Sequence, residues 1–295
     1  MSYTEYATFC KLMGYRVEET PHGIWIGPSH GFFNRVPLHE TAPPTKDELG
    51  TLFHRYPALG VHYAAEPGSR GKESYNYFVR DRNYDLKTLD SKGRWSARKG
   101  LESCQVRRIG FDELHNLGMP LNLDTLARQE RGDPLFSDPG RWARLCQAGA
   151  KVDGAQVWGA FRGDELAAYV VFIRVGSMVN LLYHNSRTSL MQYHPSSAVF
   201  FTINQMMMRT PGVQAVYNGP EGLTTGEGLD RFKQRMGFTK EPVVFAVQLR
   251  PVMRRVLFNW GGRHVINSLG CRLSDRDFYQ NVQAVLDIAA ASQNL

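Results

Sequence analysis

The order of elements between residues 155 and 249 constrains this chain more than any other feature. "AQVWGAF" (155–161) and "LAAYVVFIR" (166–174) are apolar runs rich in β-branched and aromatic residues, and they flank the turn "RGDE". That pattern predicts a hairpin. "GSMVNLLYHNS" (176–186) supplies a third strand. Pro195, Ser196 and Ser197 then open a helix through Met208, with proline at a first helical position. "GVQAVYNG" (212–219) reads as a fourth strand. In "GEGLDRFKQRMGF" (226–238), Leu229, Phe232 and Met236 share one helical face, and Gly237 stands where a helix ends. "VVFAVQL" (243–249) is a last strand. The order β-β-β-α-β-α-β departs from doubly wound sheets, which alternate strand and helix from the start. It predicts an α/β (α+β) chain in which 155–250 forms one mixed sheet flanked by helices.

The first part repeats this plan more weakly. A helix is expected over Tyr3–Met13, then the strands "GIWIG" (23–27) and "FFNRVPL" (32–38). Thr45 and Glu48 have capping-box spacing ahead of Leu49, Leu52 and Phe53. "GVHYAAE" and "YNYFVRD" read as two more strands. The echo suggests a structural duplication. Residues 85–108 are basic: seven Lys and Arg against three Asp and Glu give +4 of the chain's +7. The expected partition is an N-terminal domain at 1–110, a helical connection at 111–154 with a helix from Pro139, a C-terminal domain at 155–250, and a helical extension at 251–295. In that extension Phe278, Val282 and Val285 form the apolar face of a last helix, and Arg254, Arg255 and Arg263 add positive charge.

With 295 residues, 42% hydrophobic and 21% charged, the chain has globular composition. Its net charge of +7 suits an anionic partner. Cys10, Cys104, Cys146 and Cys271 lie far apart without paired Cys/His spacing, so no metal site is expected. They read as free thiols of a reducing cytoplasm. The N-terminus lacks signal-peptide pattern, and no stretch of about 18 apolar residues predicts a membrane span. Gly-x-Ser-x-Gly, HExxH and Walker motifs are absent, so hydrolase, zinc-protease and P-loop readings have no support.

The element order, together with Phe232-Lys233 followed by Gly237-Phe238, resembles the GNAT acyltransferase superfamily. It is most similar to the double-domain, Fem-type (FemAB-like) branch. "SKGRWSARKGLESCQVRRI" (91–109) is similar to the arginine-rich helix between the halves of those proteins. The resemblance implies tandem GNAT-like domains and transfer of an activated acyl group to an amine. The co-substrate would be acyl-CoA or aminoacyl-tRNA, with no tightly bound cofactor. The acceptor would be a small-molecule or peptide amine, and tRNA a possible partner. It also implies that Lys233 stands beside the reacting ester and that Phe232 helps hold the donor. The chain departs from CoA-dependent members at their phosphate loop, Q/R-x-x-G-x-G/A. Here "QYHPSSA" (192–198) keeps Gln192, but Pro195 and Ser197 replace the glycines, and Pro195 has no N–H to offer.

The candidate chemistry follows. Lys233 would stabilise an oxyanion; the alternative is a solvent-facing lysine beside a core Phe232. Gln192, Ser196 and Ser197 would hold a phosphate at a helix start, or the serines would simply cap it. Tyr183 and His184 end a strand where an acceptor would approach, and His184 is a candidate proton acceptor. Tyr217, Asn218 and Glu221 follow the next strand, with Glu221 a second candidate base. Arg94 and Arg98, with Lys99, surround Trp95 and would grip phosphates, unless they belong to a solvated helix. Taken with the resemblance, these residues imply an N-acyl- or aminoacyltransferase. The alternative is a catalytically inactive GNAT-fold binding or scaffold protein.

Overall fold

The three apolar runs after residue 154 form the expected meander. β7 (Ala155–Arg162), β8 (Glu165–Val175) and β9 (Met178–Ser186) pair antiparallel in chain order. β6 (Gln105–Ile109) adds beside β7. α7 (Pro195–Arg209) crosses over, and β10 (Ala215–Pro220) pairs parallel with β9. The computed structural model describes residues 3–29, 31–130, 132–221, 227–253, 288–289 and 291–292. The expected last helix with Phe278, Val282 and Val285, and Arg254, Arg255 and Arg263, lie outside the described residues.

The chain divides into two units, Met1–Gly14 with Asn76–Glu241, and Tyr15–Tyr75 with Pro242–Leu295. The first holds the meander. One face of its sheet carries α7, α8 (Glu227–Arg235) and α3 (Ser91–Ser103). The other carries α4 (Phe111–Arg128), the short α5 (Pro134–Ser137), α6 (Pro139–Ala150) and α1 (Thr4–Leu12). Val170, Phe172 and Val179 of the sheet meet Val199, Phe200, Ile203 and Met207 of α7 in one core. Each such side chain, fully buried, contributes roughly 1.5–3 kcal/mol.

The other unit pairs β1 (Arg16–Thr20), β2 (Gly23–Ser29), β3 (Phe32–Val36) and β4 (Gly60–Ala65) in that order. α2 (Lys46–Arg55) joins β3 to β4, which run parallel. The capping box forms as expected: Glu48 N–H donates to Thr45 Oγ1 at 3.2 Å and Thr45 N–H to Glu48 Oε2 at 2.7 Å. Trp25, Phe33, Leu49, Leu52 and Val61 form a core.

One expectation needs correction. β11 (Thr239–Leu249) is not the neighbour of β10. From Val244 it pairs antiparallel with β4, Val244 opposite Ala65 through Leu249 opposite Gly60. The strand beside β10 is β5 (Lys72–Val79), antiparallel, with Val216 opposite Val79 and Tyr217 opposite Phe78. Each half of the sequence therefore supplies a strand that pairs with a strand of the other half. Element order suggests that neighbours in sequence pair in space. It does not say which of two apolar strands takes a given sheet edge.

β9 and β10 share only three residue pairs, Met178–Asn180 against Ala215–Tyr217. β9 also shifts register against β8 between Leu181 and Tyr183. A bulge of this kind bends its strand. The two parallel strands continue past their pairing, to Ser186 and Pro220, so the sheet opens between them at that end.

Candidate active site

α8 carries Lys233 to this region, and its end is tightly fixed. Gly237 adopts φ +79°. Phe238 N–H donates to Lys233 O at 3.1 Å and Gly237 N–H to Gln234 O at 2.9 Å, the paired bonds of a Schellman end. Met236 O accepts from Tyr84 Oη at 2.8 Å, with Asn204 Nδ2 at 3.4 Å. The backbone at Lys233 thus has little freedom.

Its side chain turns inward. Lys233 is only 4% exposed. Nζ donates to Pro220 O at 2.7 Å and lies 4.5 Å from the centre of the Tyr77 ring. Phe232 is half-buried at the side of the helix, edge-on to Phe200 at 5.1 Å. Phe232 packs against the core as expected, but Lys233 is buried beside it rather than facing solvent or the core boundary. A hydropathy pattern sends lysine outward. Here the carbonyl at the end of β10 and the ring of Tyr77 give the ammonium inward partners that α8 alone does not reveal.

Burial pulls the Lys233 pKa down to about 8, while Asp230 and Glu221 act to raise it and Lys240 to lower it. Tyr77 is fully buried, and burial followed by Asp230 raises its phenol pKa. Glu221 is ion-paired with Lys240 at 2.5 Å. A committed carboxylate is poorly placed to act as a base, so Glu221 serves chiefly as a source of negative field near Lys233.

The other expected residues divide by face. His184 and Tyr183 are adjacent in β9 and point to opposite sides. His184 stands edge-on to Phe200 at 5.2 Å, whereas Tyr183 meets Phe136 of α5 at 5.6 Å. Phe200 therefore links His184 and Phe232 on one face. Tyr217 lies on the other face, 5% exposed, donating to Asn76 Oδ1 at 3.0 Å. Asn218 is 6% exposed on β10, and its buried Nδ2 has no hydrogen-bond partner among the described residues.

At the start of α7, Gln192 is exposed in a short 3-10 turn, Ser196 half-buried and Ser197 buried. The N-cap is His194, at φ 54°, and no side chain caps the helix. The serines are thus the second and third helical residues, not caps. α3 rests on this end. A Cβ on Gly100 would come within 2.5 Å of His194 O, and one on Gly93 would collide with Arg235 O. Gly93, Ala97 and Gly100 are all buried, so small residues let α3 seat against α7 and α8. Arg94 is spent on backbone: Nε donates to Leu86 O at 3.0 Å and an Nη to Leu89 O at 3.1 Å. Arg98 is exposed. Tyr77, Phe200, Asp230 and Lys240 carried no sequence signal strong enough to single them out, although Asp230 and Lys233 have the i, i+3 spacing of an acid–base pair.

The comparisons bear on this geometry. No family profile matches the chain, and no curated protein matches it in sequence. Solved structures do match. FemX has TM-score 0.57 at 11% identity, over 86% of this chain and 93% of that one. The C-terminal domain of a putative lysylphosphatidylglycerol synthetase from Agrobacterium fabrum has TM-score 0.59 at 13% identity, over 86% and 90%. L-PGS from Bacillus licheniformis has TM-score 0.54 at 12% identity, over 84% and 91%. The chain shares its fold with FemX and with these two structures. Among its described residues no helix is long and apolar enough to cross a membrane.

Proposed function

We propose that this protein is an N-acyl- or aminoacyltransferase, with acyl-CoA or aminoacyl-tRNA as donor and a small-molecule or peptide amine as acceptor. The observation that carries this reading is Lys233. A charge kept 96% out of water is costly unless it is held for a purpose. This one sits at the end of β10, where its partners among the described residues are the Pro220 carbonyl and the Tyr77 ring. An ammonium has three donors, so capacity remains for a substrate oxygen.

The amine nitrogen attacks the donor carbonyl carbon, forming the N–C bond and a tetrahedral oxyanion. Lys233 stabilises that negative charge. Collapse breaks the bond from carbon to the thioester sulfur or the ribose oxygen. The amine's proton passes to His184, on the face shared with Phe200 and Phe232, and from there to the departing sulfur or ribose oxygen. Positioning supplies much of the acceleration. Both donors are cytoplasmic compounds, and we place the protein there. The putative lysylphosphatidylglycerol synthetase among the similar structures is consistent with an aminoacyl donor.

The test is turnover with a panel of acyl-CoA thioesters and charged tRNAs. Lys233→Met should keep the fold and lower turnover by about 10²–10³-fold, the usual loss for one oxyanion-stabilising group. Lys233→Arg should not restore it, because a planar fork does not replace a compact ammonium. Turnover in Lys233→Met within about threefold of wild type, at equal folded fraction, would refute the role.

A further inference from the structure

The outer face of α3 presents groups that the transfer chemistry leaves unused. Trp95 is 57% exposed, yet its position is fixed. Gly93 and Gly100 seat the helix, and the indole meets the His194 ring edge-on at 4.8 Å. Lys99 Nζ lies 5.1 Å from the centre of the indole. Arg98 and Lys92, on the same helix, are exposed. Burial, then Lys99, lowers the His194 pKa, so the imidazole is a neutral wall and the positive charge around the indole belongs to the lysines and Arg98.

A rigid indole open to solvent beside cations has a definite complement. A flat π-system covers the ring, and a phosphate attached to it meets the cations. A polyanion without rings would use the charges and leave the indole bare. We infer that Trp95, His194 and Lys99 form a nucleotide platform, with the base stacked on the indole and its phosphate held by Lys99 and Arg98. This deepens the transferase reading and rests on it only for the source of the nucleotide. Acyl-CoA and aminoacyl-tRNA both carry a phosphorylated adenosine, so one platform suits either.

Binding of coenzyme A, and of a labelled single-stranded RNA ending in adenosine, separates the sources. Polyglutamate serves as the ringless control. Wild type should bind at least one nucleotide probe saturably and more tightly than polyglutamate. Trp95→Ala should weaken that binding about tenfold or more, in the range for one stacked base. Trp95→Tyr should stay within about threefold of wild type. If RNA is the ligand, Lys99→Ala should lower the log–log salt slope by about 0.7. Preference for coenzyme A or RNA names the source, and either supports the platform. The proposal fails if neither probe binds, if Trp95→Ala binds as wild type does, or if polyglutamate binds equally well. None of these readouts needs turnover. Loss of probe binding in Trp95→Ala would uphold the platform in a protein that transfers nothing. Turnover and donor affinity indifferent to Trp95→Ala would discard the platform and leave the transferase reading intact.

Discussion

The two units follow one plan and finish it differently. One runs β1-β2-β3-α2-β4, the other β7-β8-β9-α7-β10, each a meander, a crossover helix and a parallel strand. In both, the parallel pair spans three residue pairs. At the start of α2, Thr45 and Glu48 close the helix with reciprocal bonds. At the start of α7, His194 holds a left-handed conformation and no side chain caps the helix. The buried cations differ in the same sense. Arg35, 1% exposed, lies between the rings of Trp25 and Tyr63 and donates to Glu40 O and Ala64 O. Among the described residues Lys233 has one carbonyl and one ring, and its pKa falls to about 8. An arginine stays charged whatever surrounds it; a buried lysine does not. The unit with the capped helix thus buries a permanently charged cation, and the unit with the uncapped helix buries a titratable one.

The largest expected effect lies in how α3 is seated. Gly93→Val would drive its side chain into the Arg235 carbonyl, a backbone atom that cannot swing away. The expected loss is about 3 kcal/mol or more, measured by denaturant unfolding. A loss under about 1 kcal/mol would mean that α3 does not need this close seat.

The next test separates the two cations by pH. The folded Lys233 pKa is about 8 against 10.5 ordinarily. At neutral pH the ammonium is charged in both states, and its desolvation counts fully against folding. Between about pH 8 and 10.5 the unfolded chain binds more protons, so stability should rise with pH. The gain should reach up to about 3 kcal/mol relative to Lys233→Met. Arg35 should contribute no such limb. If the charge is catalytic, turnover should also decline above about pH 8 as the ammonium loses its proton. Identical pH profiles for wild type and Lys233→Met would contradict the perturbed lysine.

Smaller effects compare the helix starts. Thr45→Ala should cost about 1 kcal/mol, the value of an N-cap. Ser196→Ala should cost less than about 0.5 kcal/mol, because that residue caps nothing; equal costs would erase the contrast. Smallest is a gain: Gly50, within α2, has open space where a Cβ would stand. Gly50→Ala should add about 0.5–1 kcal/mol, visible as a higher Tm.

Much of this was legible in the sequence. The capping spacing at Thr45, proline at 139 and 195, and glycine at 237 mark helix ends through local backbone chemistry, and local rules predict them. The sequence reading sets Tyr183 and His184 together at the acceptor's approach, whereas strand pleat sends adjacent residues to opposite faces. What stayed hidden was long-range. Lys233 turns inward because of Pro220 and Tyr77, the latter more than 150 residues away in the chain. Arg94 looks like a phosphate ligand until Leu86 O and Leu89 O are found to occupy it. The exchange of β5 and β11 has no local signature, because both are simply apolar strands.

That exchange bears on how the protein comes into being. A ribosome releases residues in order, N-terminal segments first. The sheet containing β1 to β4 lacks its last partner until Val244 to Leu249 emerge, long after Ala65 has left the tunnel. Until then β4 presents a bare edge, the kind of surface that invites pairing with another chain. The early half must wait, unfinished, for nearly the whole of synthesis, and a nascent chain stalled before residue 244 would be the form most in need of a chaperone.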